Sequence, residues 1–127
     1  MNQSKKTVIV IDDSGYMRSL IKTALEKAGY QIVGEAGSGE LAIDLCIKLK
    51  PDLITLDNIL PDMHGMDILK AIREEGVTSE VLMVSGLGQS SIVEEAKTMG
   101  ATDYVVKPFD SHHLVEVANQ IFRNTES

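Results

Sequence analysis

Short, wholly apolar runs alternate along the chain with stretches of helical period. Val8-Ile9-Val10-Ile11 is β-branched throughout, the pattern of a strand buried on both faces. Leu53-Ile54-Thr55-Leu56 and Val81-Leu82-Met83-Val84 read the same way. Gln31-Ile32-Val33-Gly34 and Tyr104-Val105-Val106 are weaker and shorter, as strands nearer a sheet edge are. Between these runs, apolar residues recur every three or four positions. Met17, Leu20, Ile21, Ala24, Leu25 and Ala28 form one stripe, which Gly29 stops. Leu41, Ala42, Leu45 and Leu49 form a second, ended by Pro51. With that stripe turned inward, Ile43 and Ile47 point away from it, and Cys46 lies beside it as a small core residue. Ile68, Leu69 and Ile72 make the third stripe, closed by Gly76, and Ile92, Ala96 and Met99 the fourth, closed by Gly100. Leu114, Val117, Ala118 and Ile121 make the fifth, ahead of a polar tail of the last four residues.

Five βα units with continuous apolar strands predict an α/β fold: a doubly wound parallel sheet with helices on both faces. Right-handed crossovers leave few topologies for it, and sites in such sheets lie beyond the carboxyl ends of the strands. The 127 residues suffice for one domain with its own core, so a single domain over 1–127 is expected, with no output domain. Charge narrows the partners. Twelve Lys and Arg against nineteen Asp and Glu give a net charge of −7, which argues against direct nucleic-acid binding. The lone cysteine, Cys46, excludes an internal disulfide and suits a reducing compartment. No apolar run exceeds four residues, so no membrane span is expected, and a soluble, cytoplasmic protein follows; a monomer is expected.

The candidate chemistry sits at the predicted strand ends. The first strand runs into Asp12-Asp13, the third into Asp57, the fourth into Ser85-Gly86 and the fifth into Lys107-Pro108. Taken singly, each has an ordinary role: a helix cap or turn for the aspartates, a turn hydroxyl for Ser85, a solvated charge for Lys107. A parallel sheet puts them all on one edge. Three carboxylates held close repel by several kcal/mol at an intermediate dielectric, about 4 kcal/mol per pair at 4 Å, and so require counter-charge. Lys107 supplies one positive charge. Oxygen-only ligation at an open loop edge suits Mg²⁺ for the remainder.

In order and spacing, Ile11-Asp12-Asp13-Ser14, Leu56-Asp57-Asn58-Ile59-Leu60-Pro61-Asp62-Met63-His64-Gly65, Val84-Ser85-Gly86 and Val105-Val106-Lys107-Pro108-Phe109 resemble the receiver domain of two-component response regulators. The likeness runs from Lys6 to Phe122, and the length is similar to that of stand-alone chemotaxis-type receivers. It implies the flavodoxin-like strand order 2-1-3-4-5. It implies Asp57 as phosphoacceptor, and Asp12, Asp13, Asp57 and the backbone carbonyl of Ile59 as Mg²⁺ ligands. Ser85 and Lys107 would contact the phosphoryl group, with a cis bond between Lys107 and Pro108, and Ser85 and Tyr104 would form the conformational switch. Lys97, Val115 and Glu116 fall on the rim of the surface that such a switch would change. Gly86 stands where the family often has Ala, and Leu60 where it often has Met; both changes are mild.

The implied function is a signalling switch rather than a conventional enzyme. A histidine kinase would supply the phosphoryl group, and an output protein such as the flagellar motor switch would read the result. A phosphatase or a histidine phosphotransfer protein would clear the group, the latter making the chain a relay intermediate. Two apolar residues, Ile59 and Leu87, flank the path of attacking water in such receivers, so self-hydrolysis is expected to be slow. Ile59 also occupies the place of the second catalytic Asp of an aspartyl phosphatase, and 4% aromatic content speaks against a flavin module. Gly34 to Gly39 lacks the spacing of a phosphate loop and reads as a turn with Ser38 as helix cap. His64, and the adjacent His112 and His113, read as solvated residues rather than as a phosphohistidine or a metal site.

Overall fold

The computed structural model describes residues 5–125. Strands and helices alternate without exception: β1 (Thr7–Ile11), α1 (Gly15–Lys27), β2 (Gln31–Ala36), α2 (Gly39–Leu49), β3 (Leu53–Leu56), α3 (Gly65–Glu74), β4 (Glu80–Ser85), α4 (Ser90–Thr98), β5 (Asp103–Val106) and α5 (Ser111–Thr125). The five strands pair in the order β2-β1-β3-β4-β5, every pair parallel. The flavodoxin-like strand order implied by the resemblance is therefore the one observed.

Alternation along the strands divides the core in two. Ile9, Ile11, Ile54, Leu56, Val81, Met83 and Tyr104 face one side, where they meet α2, α3 and α4. Val8, Val10, Leu53, Leu82, Val84 and Val105 face the other, against α1 and α5. The apolar runs are continuous because each strand is covered on both faces. Ser14 and Ser38 accept hydrogen bonds from the N–H groups of Met17 and Leu41 as N-caps of α1 and α2, satisfying donors that a helix start leaves free. Gly29, Gly76 and Gly100 follow α1, α3 and α4 with positive φ, closing those helices where the glycines predicted.

Some expectations need correction. The buried face of α2 is centred on Ala42 and Cys46, both fully buried, while Leu41 and Leu49 are 47% and 42% exposed. Ile43 and Ile47, expected to point away, are half-buried against the core. Small residues at 42 and 46 let the helix axis approach the sheet, and the larger side chains splay to both flanks. Ala28 is exposed rather than part of the α1 stripe. β2 runs two residues past Gly34, because Val10 and Ile11 pair with Glu35 and Ala36. Asn124 and Thr125 of the expected polar tail lie within the span of α5 or at its end; Glu126 and Ser127 fall outside the described residues.

Backbone packs closely against backbone in the connection from β3 to α3. The N–H of Gly65 donates to the Asn58 carbonyl at 2.7 Å, and Ile59 bridges antiparallel to His64. A Cβ on Gly65 would press into the Asp57 carbonyl oxygen and lie 2.9 Å from Asn58 Cα, both backbone atoms with no freedom to yield. At Gly86 a Cβ would meet open space. Gly65→Ala should therefore cost about 2 kcal/mol, as overpacking does. Gly86→Ala should stay within about 0.5 kcal/mol of wild type. Chemical denaturation of the two variants beside the parent checks both values.

Candidate functional site

Parallel pairing brings the carboxyl ends of β1, β3, β4 and β5 to one edge, and backbone hydrogen bonds fix the residues just past the strands. The N–H of Asp12 donates to the Ala36 carbonyl at 3.1 Å, and that of Asp57 to Ile11 at 3.0 Å, so the two aspartates extend adjacent strands. Asp12 is 1% exposed and Asp57 7%, while Asp13 is exposed. Their carboxylates each place an oxygen within 4.8 Å of the others, forming a three-acid cluster.

Lys107, just beyond β5, reaches across this edge. Its Nζ donates to Asp12 Oδ2 at 2.6 Å and to Asp57 Oδ2 at 3.1 Å. The remaining oxygens find backbone donors: Asp12 Oδ1 accepts from Ser14 N–H at 2.9 Å, and Asp57 Oδ1 from Asn58 N–H at 2.7 Å. Burial alone would lower the pKa of the Lys107 ammonium. The hydrogen bonds and attraction of Asp12 and Asp57 outweigh that burial and hold it above its ordinary value. The lysine is thus a fixed cation. The peptide bond from Lys107 to Pro108 is cis, as expected.

One ammonium against three carboxylates leaves two negative charges uncompensated. The donors are all hard oxygens at an open edge, with Asp13 in solvent, a set that fits a divalent cation retaining several waters. Mg²⁺ suits it better than zinc, which prefers nitrogen and sulfur donors in a closed shell. Asp12, Asp13 and Asp57 are the residues that would hold it. Among the described residues no other group of three acidic, His or Cys side chains converges in this way. His64 is exposed at the start of α3 with no side-chain cap bond, and His112 and His113 are exposed at the start of α5.

The remaining candidates cluster around the backbone of one residue, Leu87. Ser85 ends β4 and is 1% exposed; its Oγ accepts the N–H of Leu87 at 3.2 Å. Tyr104, 9% exposed on β5, donates its hydroxyl to the Leu87 carbonyl. The Lys107 backbone N–H donates to the Ser85 carbonyl at 2.8 Å. Ser85, Leu87, Tyr104 and Lys107 therefore form one connected set leading away from the acidic cluster. Ile59 is 50% exposed at the rim. Gly86, with open space where a Cβ would stand, adds no obstruction.

Two polar residues beside the site act through contacts that the tertiary fold makes. Arg18, on α1, donates from Nη1 to the Asp12 carbonyl at 2.6 Å and from Nε to Glu35 at 2.8 Å; Lys22 pairs with the same glutamate. Hydrogen bonds from Lys22 and Arg18 hold the Glu35 carboxyl below its usual range. Asp62, in the loop after β3, accepts the N–H groups of Gly39 and Glu40, which hold its carboxyl low in the same way. A basic pair four residues apart is the one hint of the first arrangement. The second depends on residues more than twenty positions away.

Among the described residues, no helix is long and apolar enough to cross a membrane. Residues 8–119 match the family model of the response regulator receiver domain. The chain is 38% identical over 116 residues to the chemotaxis protein CheY of Thermotoga maritima, covering 91% of this chain and 97% of that protein. It is 36% identical over 113 residues to the chemotaxis protein CheY of Bacillus subtilis, covering 89% and 94%. Among solved structures, it resembles the CheX–CheY–BeF3–Mg²⁺ complex from Borrelia burgdorferi, with a TM-score of 0.89, 28% identity, and coverage of 92% of this chain and 89% of that one. Fold, strand order, acidic edge and these likenesses agree on a signalling module rather than a conventional enzyme: the chain belongs to the family of two-component response regulator receiver domains.

Proposed function

We propose that this receiver takes a phosphoryl group from a histidine kinase onto Asp57 and, once modified, changes its affinity for an output protein of the chemotaxis or flagellar-motor type. Residues 1–127 act here as one receiver domain that signals through a partner. The observation carrying this reading is the position of Asp57: nearly buried, at the strand-end edge, with one oxygen turned to a backbone N–H and the other to a lysine.

A carboxylate oxygen of Asp57 attacks the phosphorus of a phosphoimidazole. The P–N bond breaks, its electron pair returns to the imidazole, and an acyl phosphate remains on the protein. Asp57 is held by backbone on both sides, so the nucleophile is positioned in advance. Lys107 places its ammonium where negative charge accumulates on the phosphoryl oxygens. Mg²⁺, held by the Asp12, Asp13 and Asp57 carboxylates and the Ile59 carbonyl, would add the remaining positive charge on those oxygens. Ser85 Oγ can leave the Leu87 N–H and donate to a phosphoryl oxygen instead. That exchange loosens the backbone at Leu87, where the carbonyl also holds Tyr104, and so reaches β5 and the rim residues Lys97, Val115 and Glu116. A bound phosphoryl group shifts this equilibrium by its differential affinity for the two arrangements.

Family and likeness together indicate the partner class. Receiver domains work with histidine kinases, and the similar CheY from Borrelia burgdorferi forms a complex with a second protein, CheX. Ile59 and Leu87 offer water no polar contact beside Asp57, which supports a separate protein that clears the phosphoryl group. A cytoplasmic monomer suits this role.

With acetyl phosphate and Mg²⁺ the wild type should become labelled on one carboxylate, and Asp57→Asn should not; intact mass spectrometry reads the gain, and undiminished labelling of the variant would displace Asp57. Adding a histidine phosphotransfer domain then separates outcomes: label that stays with the receiver marks an end-point switch, whereas label that moves marks a relay. Loss of one or two water-orienting contacts corresponds to about ten- to a hundredfold in rate. The Ile59→Asn, Leu87→Glu double variant should accordingly lose its label faster than the wild type by about that factor. Decay measured from purified phosphorylated protein decides it, and equal half-lives would assign the rate to loop shape instead.

A further inference from the structure

The loop between β3 and α3 is held at its base but not, by its own bonds, at its tip. Gly65 N–H to Asn58, Leu60 N–H to the Met63 carbonyl at 3.2 Å, and the Ile59–His64 bridge close it into a narrow hairpin. Pro61 and Asp62 project from that hairpin into solvent. What fixes the tip is a contact across the molecule. Asp62 Oδ1 accepts the Gly39 N–H at 2.7 Å and Oδ2 accepts the Glu40 N–H at 3.0 Å. Both donors belong to the first turn of α2, whose own cap, Ser38, reaches the Leu41 N–H at 3.4 Å. A carboxylate at a helix N-terminus is favoured by orphan N–H groups and by the dipole. The seat is shaped for it, because a Cβ at Gly39 would collide with Met63 and come 3.3 Å from Asp62 Oδ1.

We propose that Asp62 is a positioning residue for the divalent-cation site: by binding the start of α2 it fixes the orientation of the hairpin that carries the Ile59 carbonyl. This rests on the proposed ligation of the cation by that carbonyl together with Asp12, Asp13 and Asp57. Ile59 and Asp62 share this short hairpin, and the two Asp62 bonds tie its tip sideways to a neighbouring helix. Rotation of the hairpin about its base would therefore carry the carbonyl with it. Mg²⁺ demands near-ideal octahedral geometry and short ligand distances, whereas Ca²⁺ accepts irregular shells and longer ones. A loosened hairpin should thus penalise Mg²⁺ more than Ca²⁺. That selectivity distinguishes positioning from a general loss of stability.

The test is the dissociation constant for each metal alone, by calorimetry, in the full chain. Variants that remove an outer partner of a metal ligand commonly lose about ten- to a hundredfold in affinity. Asp62 acts one step further out, through the loop, and Asp62→Ala should weaken Mg²⁺ binding by about three- to tenfold while changing Ca²⁺ by less than about twofold. Asp62→Asn, which keeps one accepting oxygen, should fall between, and it carries the comparison if the alanine variant does not fold. Ser38→Ala removes the native cap of α2 without touching the hairpin, and should leave both metals at wild-type affinity. Unchanged Mg²⁺ binding in the Asp62 variants overturns the proposal, as does an equal loss for both metals matched by Ser38→Ala. Asp13→Asn addresses the underlying site: strong loss of Mg²⁺ supports it, and wild-type affinity overturns the cation site itself along with the inference.

Discussion

The ammonium of Lys107, 2.6 Å from Asp12 and 3.1 Å from Asp57, is the contact on which the rest of the functional edge depends. Without it, β1 and β3 would end in adjacent, largely buried carboxylates with no positive charge between them. Breaking a buried ion pair by removing one partner costs about 3–5 kcal/mol, because the other charge is left uncompensated. With the lysine in place the edge is tolerable but still short of positive charge, since Asp13 adds a third acid. The folded protein thereby stores an affinity for cations and for groups that bring cations with them.

The same lysine ties charge to shape. Its backbone N–H holds the Ser85 carbonyl, and Ser85 and Tyr104 bond the N–H and the carbonyl of Leu87. Hydrogen bonds thus run without a break from the acidic cluster through Lys107 and Ser85 to Tyr104 on β5. Tyr104 is buried with its hydroxyl satisfied, so the connection is already made on the side facing α4. Of the α4 residues only Ala96 is fully buried, which leaves that helix the least anchored of the five.

Much of this was legible in the chain itself. Strands covered on both faces must be continuously apolar, so β1, β3 and β4 stood out; and parallel order alone puts Asp12, Asp57, Ser85 and Lys107 on one edge. Positions set by tertiary contact were not legible. The length of β2 is set by its pairing with β1 rather than by its own hydrophobicity, since Glu35 is polar yet pairs with Val10. On α2 the sequence places Ala42 and Cys46 in the core, where they lie, but its leucine stripe also includes Leu41 and Leu49, which the structure leaves exposed. Arg18 and Asp62 act on backbone groups brought near by the fold, and no local spacing encodes such partners.

A thermal melt in increasing MgCl₂ measures most directly whether the acidic edge is under-compensated in charge. Ligand linkage stabilises a protein by about 2.7 kcal/mol at a hundred times the dissociation constant. The midpoint should therefore climb with Mg²⁺ and level off only logarithmically, well beyond the change that NaCl gives at matched ionic strength. A midpoint that Mg²⁺ moves no further than NaCl does, up to tens of millimolar, would contradict the account.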